Sequence, residues 1–261
     1  MDIKTTSQSA ANMDGQVYLS VVVPAYNEAD RIGATLDRVH EYLSEQTYRS
    51  EVLVVDDGST DQTAAIVRQK SVEQGLTLHS YTPNRGKGHA VRYGMLRASG
   101  NLTLFSDADL ATPIEEVEKL LEACAAGADI AIGSRDIPGA HLERRQSALR
   151  EFGGKLFNRF VRILAVPGIH DTQCGFKLFT DQARGLFAHC VIDDFSFDVE
   201  ALYLARRMGY AITEVPIRWR HQEGSKVRLA RDAPRMLRTL IKIRTRHYDI
   251  PDRDRCARSP R

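Results

Sequence analysis

Five short apolar runs, each closed by polar residues and separated by helix-length stretches, constrain this chain more than any other feature. They are Ser20–Pro24, Glu51–Val55, Leu76–Tyr81, Leu102–Phe105 and Asp129–Gly133. Apolar runs of this length suit strands covered on both faces, whereas Leu76–Tyr81 alternates like a strand with one face covered. Between them, Ala29–Ser44 carries Ile32, Leu36, Val39 and Leu43 at helical spacing. Asp57–Asp61 turns the chain and offers caps for a helix reaching about Gln74. Gly88–Ser99 reads as a helix, and Pro113 opens another at its first turn. Strands alternating with helices imply right-handed crossovers and an α/β fold with a mostly parallel sheet.

After Arg135 the pattern loosens. Residues Arg144–Val166 have a helical stripe, Cys174–Phe179 reads as a short strand, Phe197–Met208 as a helix and Ile212–Trp219 as a strand. Ala230–Arg246 reads as a basic amphipathic helix. No repeat or low-complexity linker divides the chain. The expected layout is a disordered tail over 1–16, a catalytic domain over 17–228, and a basic helix with its tail over 229–261.

The chain has 261 residues, 43% hydrophobic and 27% charged, the composition of an ordinary soluble domain. Net charge is only +2, but Arg218–Arg261 holds fourteen Lys and Arg against five Asp and Glu. That end is either a solvated face or a contact for something anionic, a phosphate or a membrane surface. The four cysteines form no CxxC pair and read as reduced thiols of a cytosolic protein. No apolar run approaches the ~20 residues of a membrane span, so any work at a membrane is expected from its surface.

In open α/β sheets, ligands bind beyond the carboxyl ends of the strands. Those ends read Pro24-Ala25-Tyr26-Asn27-Glu28, Asp56-Asp57-Gly58-Ser59, Asn84-Arg85-Gly86-Lys87-Gly88, Asp107-Ala108-Asp109 and Gly133-Ser134-Arg135. Carboxylates, an aromatic ring and several cations in one crevice suit a nucleotide diphosphate. Asp107 and Asp109, with Ala108 between them, can share one divalent cation, Mg²⁺ or Mn²⁺, with the diphosphate. No G-x-G-x-x-G follows the first strand and no Walker A pattern is present. Basic residues are not interleaved with exposed aromatics, so nucleic acid is not an expected partner.

Together these motifs resemble the family-2 inverting glycosyltransferases of the GT-A (nucleotide-diphospho-sugar transferase) fold. Within them, Gly133-Ser134-Arg135, Asp171-Thr172-Gln173-Cys174-Gly175-Phe176-Lys177 and Glu223-Gly224-Ser225-Lys226 resemble the polyprenyl-phosphate sugar synthases, the dolichyl-phosphate β-glucosyltransferases more than the mannose synthases. The likeness covers roughly Leu19–Arg244. It implies that Pro24, Tyr26, Glu28 and one or both of Asp56 and Asp57 hold the nucleobase and ribose. Lys87 lies in the donor-binding set. Asp107 and Asp109 flank the diphosphate, Asp109 as the direct metal ligand. Arg135 and Arg145 grip the acceptor phosphate, and Arg220 and Lys226 close over the donor phosphates. The mannose synthases often carry a glutamine where this chain has Ala111, which leaves more of the metal shell to water.

The implied reaction moves glucose from UDP-glucose to a dolichyl or undecaprenyl phosphate, at the cytoplasmic face of a membrane to which the enzyme binds peripherally. GDP-mannose as donor is the alternative. A soluble hydroxyl acceptor is another, and it would want a carboxylate base, for which Asp198 or Glu200 are candidates. Plainer readings stand beside these roles: helix capping for Asp57 and Asp61, packing for Tyr26, a structural carboxylate at Glu200, structural histidines at His170 and His189, and a core or loop anchor at Trp219.

Overall fold

A computed structural model describes residues 15–144, 166–220 and 238–250. The strands are β1 (Leu19–Ala25), β2 (Ser50–Asp56), β3 (Thr77–Ser80), β4 (Leu102–Ser106) and β5 (Ile130–Ser134). They are joined through α1 (Ile32–Ser44), α2 (Thr63–Gln74), α3 (Lys87–Met95) and α4 (Val117–Ala125). A 3-10 turn over Ile114–Glu116 follows Pro113 and leads into α4. Beyond β5 come β6 (His141–Arg144), β7 (Phe176–Thr180), α5 (Asp181–Arg184), α6 (Phe197–Arg207), β8 (Ile212–Pro216) and β9 (Arg218–Arg220). Residues 238–245 are helical.

Seven strands form one sheet in the order β3-β2-β1-β4-β7-β5-β8. β3, β2, β1 and β4 are mutually parallel, as are β5 and β8. β7 runs antiparallel to both its neighbours, β4 and β5. The apolar run of β7 announces a buried strand, but nothing in its composition encodes direction. The expected strand over Ile212–Trp219 divides at buried Ile217, and β9 leaves the main sheet to pair with β6.

Alternate side chains of the central strands feed two cores. Val22, Phe105, Ile132 and Phe179 pack with Val91 and Met95 of α3 and Val199, Leu202 and Leu204 of α6. Val21, Val23, Leu104 and Leu178 pack with Ile32, Leu36 and Val39 of α1, Val67 of α2 and Leu120 of α4. Helices therefore cover both faces, as the unbroken apolar strands require.

Of the basic amphipathic stretch, residues 230–237 lie outside the described residues, as do residues 145–165 of the helix expected over Arg144–Val166; its first residue, Arg144, closes β6 instead, and Val166 is not helical. Leu240, Ile243 and Tyr248 are buried in the core that contains α3 and α6. Ile241 points outward, 56% exposed, beside exposed Lys242 and Arg244.

Phe179 is buried at the sheet centre and meets Phe187 edge to face, ring centroids 5.2 Å apart. Phe179→Ala is expected to cost about 3–5 kcal/mol of stability through the cavity it leaves. Urea denaturation monitored by circular dichroism measures it.

Candidate donor-binding site

The loops after β1 and β2 are knitted into one surface. Asn27 donates its backbone N–H to Ser59 Oγ at 2.9 Å and accepts from Thr60 N on Oδ1 at 2.8 Å. Glu28 N donates to Thr63 Oγ1 at 2.7 Å, and Ala29 N to Asp61 Oδ2 at 3.2 Å. Asp61 Oδ1 also accepts from Thr63 N, so the cap expected there is made. Asn27 has a positive φ of 51°, a conformation asparagine tolerates better than most residues. Pro24 is buried in β1 opposite Val55, while Tyr26 and Glu28 sit half-buried on the rim.

Asp56 and Asp57 are both buried and both engaged by the protein. Asp56 accepts from Ser59 N and from Ser80 Oγ, the latter at 2.8 Å. Asp57 accepts from Asn84 Nδ2, Arg85 N and Gly86 N at 2.8, 2.8 and 2.9 Å. Asp57 thus holds the segment leading into α3, rather than capping α2.

Asp107 and Asp109 follow β4 directly. Lys87, the first residue of α3, places Nζ 2.7 Å from Asp107 Oδ1. Burial works against the Lys87 charge, but Asp107, Asp198 and Asp109 outweigh it and hold the ammonium above its usual range. Gly175, just before β7, donates nothing to Asp107 but accepts its backbone N–H at 3.0 Å. A Cβ on Gly175 would overlap the Asp107 carboxylate. Ala108 O accepts from Thr35 Oγ1 of α1 at 2.7 Å, and Leu110 turns at a positive φ of 43°. Strained backbone of this kind gathers at ligand sites.

Asp109 Oδ1 accepts from Ala111 N at 3.1 Å, and Arg31 reaches Asp109 Oδ2 at 4.0 Å while it also pairs with Glu28. Burial pushes the Asp109 carboxyl up, and the Asp107 charge adds to that. Lys87 on Asp107 and a more distant, shared Arg31 near Asp109 only partly neutralise this carboxylate pair, and its hard oxygens fit Mg²⁺ or Mn²⁺. Among the described residues no cluster of three or more ligating side chains occurs. A cation here would complete its shell with phosphate oxygens and water.

Arg135 departs from expectation. Its Nε and Nη2 donate to Asp171 Oδ2 and Oδ1 at 2.6 and 2.8 Å, and its backbone N–H adds a third bond at 3.0 Å. Trp219 lies 5.3 Å from its guanidinium. The planar fork that suits a phosphate is spent on a buried carboxylate, so Arg135 is a structural cation more than an open phosphate grip. Glu214 of β8 fixes this arrangement by accepting from the backbone of His170 and Asp171 at 2.9 and 3.0 Å, and it bonds His170 Nδ1 at 2.8 Å. Arg220 is held near the carboxylate loop by its backbone N–H, which donates to Ala111 O at 2.8 Å. Arg145 and Lys226 lie outside the described residues.

Both candidate general bases are engaged. Glu200 is buried and accepts from Val191 N, Ile192 N and Tyr248 Oη at 3.0, 2.8 and 2.8 Å. Asp198 pairs with buried Lys177 at 2.5 Å. Sequence reasoning gave no role to Arg31, Asp171 or Lys177. Arg31 stands outside every motif and had no signal. Asp171 and Lys177 were visible in a motif, but their partners are distant in sequence.

Comparison with known proteins accords with this geometry. Residues 20–185 match the model of a family described as glycosyl transferase family 2. The dolichyl-phosphate beta-glucosyltransferase of Dictyostelium discoideum is 38% identical over 247 residues, spanning 88% of this chain and 75% of the relative. The human protein of that name is 40% identical over 228 residues, 80% and 69% of the two chains. Among solved structures, the glucosyl-3-phosphoglycerate synthase of Mycobacterium tuberculosis, in complex with Mn²⁺, uridine diphosphate and glucosyl-3-phosphoglycerate, superposes with a TM-score of 0.61 at 20% identity. That match covers 88% of this chain and 78% of the other, and shows that the two share a fold.

Gly175→Ala must push the Asp107 carboxylate aside. Turnover is expected to fall by about 100-fold, the scale of an ångström misplacement, with the far-ultraviolet circular dichroism unchanged. Asp171 supplies a pH test. Burial alone would raise its carboxyl, but the Arg135 guanidinium outweighs this and holds it below the usual range. The pair's stabilisation is therefore full above about pH 3.9 and is lost as pH falls through the lower folded value. Asp171→Asn is expected to cost about 3–5 kcal/mol at pH 7, by leaving Arg135 without its buried partner. In denaturation series, its gap from the wild type should close below about pH 4.

Proposed function

Because the chain belongs to glycosyl transferase family 2 and is a glycosyltransferase of the GT-A fold, we propose that it moves glucose from UDP-glucose onto a polyprenyl phosphate, dolichyl or undecaprenyl, to give a β-linked product. The relatives that span most of the chain bear the name of that activity. The observation that carries the acceptor class is the engagement of Asp198 and Glu200 by Lys177 and by Tyr248 with two backbone N–H groups. A hydroxyl acceptor needs a base to take its proton. A phosphate monoester arrives ionised and needs none.

On this reading a phosphate oxygen of the acceptor forms the bond to the anomeric carbon as the bond to the nucleotide diphosphate breaks. No proton moves, and a single displacement inverts the α-linked donor. The protein's task is to hold two anions in line against their repulsion. Pro24, Tyr26 and Glu28 line the nucleoside side, with Asp56 and Asp57 shaping it from behind. Asp107 and Asp109 would hold a divalent cation, Mg²⁺ or Mn²⁺, which supplies charge neutralisation to the departing diphosphate. Lys87 sets the position of Asp107. Arg220 and Lys226 act on the donor phosphates, and Arg145, with any donor that Arg135 has left, on the acceptor.

No helix among the described residues is long and apolar enough to cross a membrane. For a lipid acceptor, the reading adds surface attachment at the cytoplasmic face. Exposed Ile241 beside Lys242 and Arg244 has the apolar and basic character that suits an anionic interface.

Purified protein with Mn²⁺ or Mg²⁺ tests this, supplied in parallel with labelled UDP-glucose and GDP-mannose and with dolichyl phosphate, undecaprenyl phosphate or 3-phosphoglycerate. Label is expected to pass from UDP-glucose into the organic phase. Transfer from GDP-mannose would correct the donor, and product only with 3-phosphoglycerate would overturn the lipid acceptor.

A further inference from the structure

Lys177 and Asp198 form an ion pair that the reaction above does not use. Lys177 is the second residue of β7, in register with Phe105 of β4 and Ile132 of β5, and is 1% exposed. Asp198 lies in the first turn of α6 and is 4% exposed. Taking both charges out of water is expensive, and an apolar pair of similar volume would often serve stability as well or better. The pair's neighbours suggest why an ionic one is there.

Lys177 Nζ also donates to Cys174 O. That bond pins the peptide immediately before Gly175, the residue whose carbonyl takes the Asp107 N–H and whose bare Cα leaves room for the Asp107 carboxylate. On the opposite side Lys87 Nζ grips Asp107 Oδ1 at 2.7 Å. Lys87 and Lys177 lie 5.5 and 5.8 Å from the centroid of one ring, Phe105. Asp198 is bonded to the Lys177 ammonium. Both ammonium groups thus face one ring, Lys87 with Asp107 as its carboxylate partner and Lys177 with Asp198.

We propose that the Lys177–Asp198 pair is a positioning device for the donor site. Lys177 holds the Cys174–Gly175 turn against Asp107, and Asp198 holds the Lys177 ammonium in place for that bond. Neither residue touches substrate; both act through Asp107. The inference rests on the reading of Asp107 and Asp109 as the site of the donor's metal and diphosphate.

The test uses the full chain with Mn²⁺ and UDP as probes. The double variant Lys177→Met/Asp198→Asn removes both charges at once, so no unpaired ion is left buried. It is expected to unfold cooperatively, near the wild-type temperature, yet to bind Mn²⁺–UDP in calorimetry about tenfold or more weakly, the scale seen when partners of metal ligands are lost. The KM for the nucleotide sugar should rise while that for the acceptor stays. Wild-type Mn²⁺–UDP affinity in the folded double variant would overturn the inference and leave the pair a packing element. Should the double variant fail to fold, Asp198→Asn alone is read against Asp198→Glu. Weaker binding in the first, restored in the second, supports the device, and equal wild-type affinity in both overturns it. Asp109→Ala, measured alongside, separates the two ideas. If it retains wild-type Mn²⁺–UDP affinity, the reading of the carboxylate pair as the metal site fails, whatever the Lys177 variants do.

Discussion

Two carboxylates held at the end of one buried strand repel each other, and the protein only partly neutralises them. Lys87 meets Asp107 closely, but Arg31 stands 4.0 Å from Asp109 and shares itself with Glu28. Much of the surrounding architecture answers this one electrostatic constraint. Gly175 clears space, Thr35 ties down the peptide between the two aspartates, and Leu110 accepts an unusual backbone angle directly after them. The unmet charge is what makes the site receptive to a cation arriving with a diphosphate.

Commitment of charge separates the ionisable residues into two sets. Asp57, Asp171 and Glu200 have both oxygens occupied by the protein's own donors and hold loops in place, and Asp198 is paired with buried Lys177. Asp107 and Asp109 are half-exposed, and their neighbours leave them capacity. In a site that handles two anionic substrates, rigid internal pairs preserve geometry without adding to the charge that the substrates meet.

β1, β2, β4 and β5 were legible because a strand covered on both faces must be an apolar run, β3 because its residues alternate, and α1 because its stripe repeats at 3.6 residues. Direction was not legible in β7: Phe176–Thr180 would read the same run either way. β6 was not legible, with one leucine among His, Glu and Arg, and β9 was read only as the tail of the Ile212–Trp219 strand. Within the site, Asp107 and Asp109 stood out because their spacing is local. Arg135 looked available because Asp171, its partner, arrives from another part of the chain, and the use of Gly175 depends on an aspartate equally remote in sequence. Local chemistry could be read from the residues, while the competition among them for partners is a property of the folded state.

The reversed course of β7 bears on how the molecule can be assembled. β3, β2, β1 and β4 join by successive crossovers, and the ladders among them need no strand from beyond residue 106. β4 and β5 do not touch as a ladder; each presents an edge that only β7 closes. Until residues 176–180 emerge, the growing chain carries two unpaired strand edges facing one gap, the geometry that invites pairing with other chains. The same insertion brings Gly175 to Asp107. The surface knitted from the loops after β1 and β2 can thus be built early in synthesis, whereas the surroundings of Asp107 are shaped by the strand that seals the sheet.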